Sequence, residues 1–205
     1  MPRGTSTNPA RMTAAQRREQ LLDVTGEIVA EQGFRGVSIQ SVARGAGISR
    51  PIVYEHFGDL QGLLDALVER EMTQALAQVS QTELADLTEG DPLELMLDSL
   101  RRYLDAVERH PRTWQLVLMP PEGSPELLRK SIGQGRAAVL NRLTRAVGPS
   151  FARAGETPDP TLTARMLSAA ADEYARLLLT DPVRFSQERL LEHARWYLDH
   201  ISPTT

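Results

Sequence analysis

The sequence predicts an all-α fold of about nine helices. Apolar residues recur at three- and four-residue spacings along most of its 205 residues, no stretch sustains the alternation of a half-buried strand, and breaks at Gly and Pro cut the chain into helix-sized segments. The expected order is a flexible arm (residues 1–12), a bundle of three helices (13–58) and a larger helical domain (59–205). A composition 41% hydrophobic and 24% charged supports a globular core and excludes a disordered or fibrous chain. With no cysteine there is neither a disulfide framework nor a thiolate metal site. The N-terminus lacks an apolar signal region, and no run approaches the ~18 apolar residues of a spanning helix, so the expectation is a cytoplasmic chain with no membrane partner. A net charge of −4 argues against coating nucleic acid through bulk charge while leaving a local basic face open.

Each segment has its own start and stop. Residues 1–12 are small and polar, with two prolines and two arginines, and have nothing to bury. Thr13 and Gln16 form a capping box for the first helix, whose Leu21, Val24 and Ile28 recur at helical spacing until Gly33. Ser38 caps a second, short helix through Ile39, Val42, Ala43 and Ala46, ended by Gly47. Ser49 caps a third, with Pro51 tolerated in its first turn and a stop near Phe57 and Gly58. Asp59 opens a long fourth helix carrying Leu64, Val68, Met72, Ala75 and Val79 on one face. Asp91-Pro92 begins a fifth, with a seam of Leu93, Leu97, Leu100, Leu104 and Val107 ending at His110-Pro111. A short segment around Trp114 stops at Pro120-Pro121, and Ser124-Pro125 opens a seventh helix through Leu128, Ile132, Val139 and Leu143. Gly148 to Pro160 reads as a loop; Asp159-Pro160 caps the eighth helix, and a ninth runs from about Ser186 to His200.

The second and third helices meet the steric demands of a helix-turn-helix. Ile39, Val42, Ala46, Ile48 and Val53 supply buried contacts, Ala43 stands where the helices approach closely, and Gly47 stands where the turn needs a positive φ. The alternative is a helical hairpin with the same caps and no DNA. In a helix-turn-helix, first-turn side chains of the third helix lie closest to base edges in the major groove. Arg50 is then the first candidate for a bidentate contact to guanine, its alternative being a phosphate, and Pro51 and Ile52 are placed to touch a thymine methyl. Ser38, Gln40 and Ser49 lie at helix starts, where donors converge on an anionic phosphate, although capping alone would account for both serines. Arg44 projects toward the backbone.

Over residues 17–68 the chain resembles the TetR family of bacterial transcriptional regulators. Gly33-Phe34, Ser38, Ala43, Ala46-Gly47 and the Tyr54, His56, Phe57 signature stand where that family has its Gly-Phe pair, its cap, its Ala-x-x-Ala-Gly turn and its Tyr-x-His-Phe motif. The resemblance implies a helix-turn-helix DNA-binding domain followed by a helical ligand-binding and dimerisation domain, acting as a repressor on double-stranded operator DNA. It also implies that Tyr54 and His56 reach phosphates, with internal packing of His56 as the alternative. Two positions depart from the pattern: Leu60 stands where the family usually has a lysine, and Glu55 places a carboxylate in the recognition helix. Residues 1–60 hold seven arginines and six acids, a net of +1, so DNA binding rests on where the arginines stand rather than on a basic domain. Arg3 and Arg11 of the arm are further candidates for DNA contacts.

Beyond residue 70 only length and helix count resemble the family, and nothing about a ligand transfers. Met72, Met96, Tyr103, Trp114 and Leu118 are large apolar residues from helices four to six; they form either core or the wall of a pocket for an unknown small-molecule effector. On the eighth helix Leu162, Met166, Ala169, Ala170 and Leu177 trace an apolar arc with Glu173 inside it. That carboxylate either faces the effector or pairs with an arginine. By resemblance helices eight and nine form a homodimer, for which Ala170, Tyr174, Leu190, Ala194 and Tyr197 are the expected interface. Catalysis is not expected, since the four histidines include no i,i+4 metal pair and no nucleophile or phosphate loop is evident; no cofactor or metal is implied.

Overall fold

The computed structural model describes residues 12–81, 91–150 and 159–201, and all regular structure among them is helical. The arm, with Arg3 and Arg11, lies outside the described residues, as do most of the residues read as a loop after Gly148. Two units are distinguished, the first reaching Leu67 and the second beginning at Val68.

In the first unit α1 (Ala14–Gln32) starts at the predicted capping box: the Gln16 amide donates to Thr13 Oγ1 at 3.2 Å and the Thr13 amide to Gln16 Oε1 at 2.9 Å. Leu21, Leu22, Thr25 and Val29 form its buried stripe, and the Thr25 hydroxyl, with no water to meet, donates to the Leu21 carbonyl at 2.7 Å. A 3-10 turn at Phe34–Gly36, absent from the sequence reading, buries Phe34 before α2 (Ile39–Gly45) and α3 (Arg50–Phe57). Burial of Val42 and Val53, neither with any exposed surface, contributes about 1.5–3 kcal/mol each.

α4 (Leu60–Gln81) begins one residue after the predicted cap, and the Gly62 amide donates to Asp59 Oδ1 at 2.7 Å. The first unit extends past the expected boundary at residue 58 because Leu63 and Leu67 are buried and Gly26 offers α4 a side-chain-free surface; a Cβ there would lie 3.8 Å from Leu67 Cδ1. Gly62 itself admits no side chain, since a Cβ would stand 2.2 Å from the Phe57 carbonyl oxygen. Gly62→Ala is therefore expected to cost about 1–3 kcal/mol through displacement of backbone that has no flexible end to yield. A circular-dichroism melt in which this variant matches the parent would show that the α3–α4 turn relaxes freely.

The second unit comprises the rest of α4 with α5 (Pro92–Arg109), α6 (Pro111–Leu118), α7 (Glu126–Ser150), α8 (Pro160–Thr180) and α9 (Gln187–Ile201). Asp91 and Asp159 cap α5 and α8 as expected, each accepting from an amide two residues on, at 3.1 and 2.8 Å. α7 runs through Gly148 and Pro149 as its final turn, beyond the predicted stop. Ala75, Leu104, Val107, Trp114, Leu118, Ala175, Leu178 and Leu190 form the main core, and Leu97, Ala194 and Leu198 a second cluster. Small residues let α8 approach its neighbours, with Ala164 and Ala175 fully buried.

Candidate functional site

The turn between α2 and α3 is built as its sequence demands. The Ile48 amide donates to the Ala43 carbonyl at 3.0 Å and the Gly47 amide to that of Arg44 at 3.2 Å, with Gly47 at φ +66°, the pairing that ends a helix through a left-handed residue. Val53 is buried on the inner side of α3, while Arg50, Pro51, Tyr54 and Glu55 form its exposed face. Ile52 and His56 sit half-buried on the flanks. α3 is tied to α1 at its C-terminal end: Arg18 donates to the His56 carbonyl at 3.3 Å, and its guanidinium lies 4.5 Å from the centre of the Phe57 ring.

Around this helix the other candidate residues stand in the open. Gln40 and Arg44 of α2 are exposed, as are Ser38 and Ser49. The two serines differ. Ser38 accepts from the Ser41 amide at 3.0 Å in a capping box, whereas the Ser49 hydroxyl makes no cap hydrogen bond to α3. Cation and hydroxyl donors on α2 and at the start of α3 are thus exposed, as phosphate and base-edge contacts require.

The second unit holds a partly open cavity of about 220 Å³, bounded by residues of α4 to α9. Met72, Met96, Tyr103, Trp114 and Leu118 all stand on its wall, with Leu100, Val117, Ile132, Leu167 and others. The Tyr103 and Trp114 rings meet edge to face at 4.9 Å, and the Trp114 indole donates to Gln78 Oε1 of α4 at 2.8 Å.

Glu173 is not on the wall; its side chain is 59% exposed and paired with Arg176 at 3.1 Å, the second of the two roles expected for it. Asp172 takes its place. Its Oδ1 accepts from the Tyr103 hydroxyl at 3.4 Å, and its Oδ2 stands 3.4 Å from Arg136 and 3.9 Å from Arg176. Burial pushes the Asp172 carboxyl above the usual carboxylate range despite the opposing pull of the two arginines, and burial with the adjacent Asp172 charge pushes the Tyr103 phenol up. The wheel misassigned the carboxylate because α8 carries two apolar arcs. Leu162 and Met166 lie on one that is exposed in the single chain, whereas Ala164, Leu167, Ala171, Ala175 and Leu178 lie on the one that faces inward, and Asp172 belongs to the second.

Of the five expected interface residues, two are buried within the single chain. Leu190 and Ala194, 4% and 3% exposed, pack inside the unit, and Ala170, Tyr174, Ala194 and Tyr197 line the cavity. Tyr174 is held there by a 2.8 Å hydrogen bond between its hydroxyl and His193 Nδ1. Ala170, Tyr174 and Tyr197 keep part of their surface exposed. The exposed large apolar side chains of α8 and α9 among the described residues are Leu162, Met166 and Trp196, at 61%, 62% and 55%.

Residues 21–67 match the family model of bacterial regulatory proteins, tetR family. The HTH-type transcriptional activator FasR of Mycolicibacterium smegmatis is 25% identical over 116 residues, 57% of this chain and 52% of FasR. The HTH-type transcriptional regulator BetI of Escherichia coli is 37% identical over 84 residues, 41% of this chain and 42% of BetI. The chain thus spans about half the length of these curated relatives, or less. In fold it is similar to the crystal structure of AibR in complex with isovaleryl coenzyme A and operator DNA, with a TM-score of 0.67 at 18% identity over 88% of this chain and 97% of that one.

Proposed function

Through residues 21–67 the chain belongs to the tetR family of bacterial regulatory proteins, and from that premise we propose that it is a ligand-responsive transcriptional repressor, cytoplasmic, acting as a homodimer on a palindromic operator. It is a binding protein and not an enzyme. The observation that carries the reading is the exposed first turn of α3, where Arg50 and Pro51 stand free beside the unspent hydroxyl of Ser49 while Val53 anchors the helix from behind. Arg50, Pro51 and Ile52 read bases; Ser38, Gln40, Arg44, Ser49, Tyr54 and His56 hold phosphates. The cavity binds the effector, and an effector that prefers the form unable to hold DNA releases the operator by shifting populations.

Selection from random duplexes tests the function. A palindrome is expected to emerge, bound with a steep loss of affinity as salt rises because phosphate contacts release counterions. Arg50→Ala is expected to lose about 1–3 kcal/mol at one base pair and to relax the preference there. A folded protein that enriches no sequence would overturn the reading.

The dimer face is assigned to Leu162 and Met166 of α8 with Trp196 of α9, large apolar side chains left half or more exposed in the single chain. Sedimentation should give the parent twice the 22.7 kDa chain mass and Met166→Asp the mass of one chain. A dimeric Met166→Asp would place the interface elsewhere.

A further inference from the structure

The cavity wall is mostly apolar, with the hydroxyls of Ser99, Ser168, Tyr174 and Tyr197 among its polar groups, and its charged pair is already matched. Met96, Leu100, Ile132 and Leu167 are typical of the wall, whose charged members among the described residues are Asp172 and Arg136. These two face each other at 3.4 Å, and the remaining oxygen of Asp172 meets the Tyr103 hydroxyl, also at 3.4 Å.

Resting on the ligand-responsive reading above, we propose that the effector is an uncharged, predominantly apolar molecule with one hydroxyl or carbonyl group, seated with that group among Tyr103, Asp172 and Arg136. A carboxylate ligand would have to take Arg136 away from Asp172 and then lie beside a like charge against a largely apolar wall. An ammonium ligand would have to displace Arg136 from the same carboxylate. Either trades an ion pair the wall already holds for a new one, leaving Arg136 to solvent or Asp172 to its longer 3.9 Å contact with Arg176, so the exchange returns little. A ligand hydroxyl donates to Asp172, and a ligand carbonyl accepts from Arg136 or Tyr103, without that exchange. Both existing contacts are long for hydrogen bonds, so a ligand oxygen can join them without breaking a short one. At about 220 Å³ the space is smaller than the roughly 300–1,000 Å³ of drug-sized sites, which favours a compact molecule.

Titration calorimetry on the full chain with octanol, octanone, octanoate and octylammonium, four probes sharing an eight-carbon skeleton, tests the assignment. At neutral pH octanol or octanone is expected to bind about tenfold or more tighter than either ion. Asp172→Asn is expected to improve octanoate binding by about tenfold, and Arg136→Gln, a substitution at a half-exposed side chain, to do the same for octylammonium. Tightest binding of either ion to the parent, binding of none of the four, or variants that leave the ionic probes unimproved would each overturn the proposal. The regulator reading is scored separately, by operator binding. If the neutral probes win but operator is not released at saturation, the cavity assignment stands and the ligand-responsive reading falls; if an ion wins and releases operator, the reverse holds.

Discussion

Glu71→Ala is expected to destabilise the second unit by about 2–4 kcal/mol, read as a fall in urea midpoint. Glu71 is 8% exposed on α4 and both of its carboxylate oxygens are engaged. Oε1 accepts from Arg70 at 2.8 and 3.1 Å, and Oε2 accepts from the Thr113 hydroxyl of α6. Truncation removes the acceptor and leaves a buried hydroxyl donor at Thr113, itself 4% exposed. The estimate sits below the full cost of breaking a buried pair because the Arg70 side chain, at 17% exposure, retains some access to water. Glu71→Gln keeps the volume and an acceptor for Thr113, and Thr113→Val deletes only the donor, so each should cost about 1–1.5 kcal/mol. A double-mutant cycle of Glu71→Ala with Thr113→Val isolates the bond between α4 and α6; a coupling indistinguishable from zero would show that it contributes nothing. Both tryptophans lie in the second unit, so fluorescence reports its unfolding.

Trp114→Ala should cost about 3–5 kcal/mol, the range for deleting a large buried aromatic side chain. At 3% exposure the indole fills the space between α4 and α5, edge-on to Tyr103, and bounds the cavity on α6. Trp114→Phe separates its two roles. A six-membered ring is kept, while the donor to Gln78 is lost at about 1 kcal/mol, beyond the packing lost with the indole's second ring. Because Gln78 belongs to α4, this variant should bind effector within a few-fold of the parent yet need more of it to release operator, measured by anisotropy of labelled DNA. Equal release would show that the signal reaches α4 by another contact.

The N-terminal unit was legible in the sequence because its constraints are local. A capping box, a glycine that must adopt positive φ and a proline in the first turn of a helix each concern a few neighbouring residues, and Thr13, Gly47 and Pro51 meet them where expected. Gly62 went unread because the Phe57 carbonyl that excludes its side chain is set by the angle between two helices. The large residues of the cavity were found by size and position, but its charged end was not. Alanine on both sides of α8 blurs the difference between the inward and outward arcs, so Asp172 and Glu173 exchange roles under an error of one residue, or 100° of rotation. Leu190 and Ala194 failed similarly: an apolar stripe on α9 says that something covers it, and the cover is the chain's own α5 and α8.

The unequal fate of two serines has a consequence for genetics. Ser38 spends its hydroxyl on the amide of Ser41, and Ser49, at the start of α3, makes no such bond. Alanine at position 38 should therefore lower the protein's abundance through the loss of a cap, about 1 kcal/mol. Alanine at position 49 should leave abundance unchanged and, on the proposed reading, be seen only as weakened operator control. On the proposed reading, a screen that scored operator control alone would class the two alleles together, whereas one that also counted protein per cell would separate the allele that loses a cap as well as a contact from the one that loses a contact only.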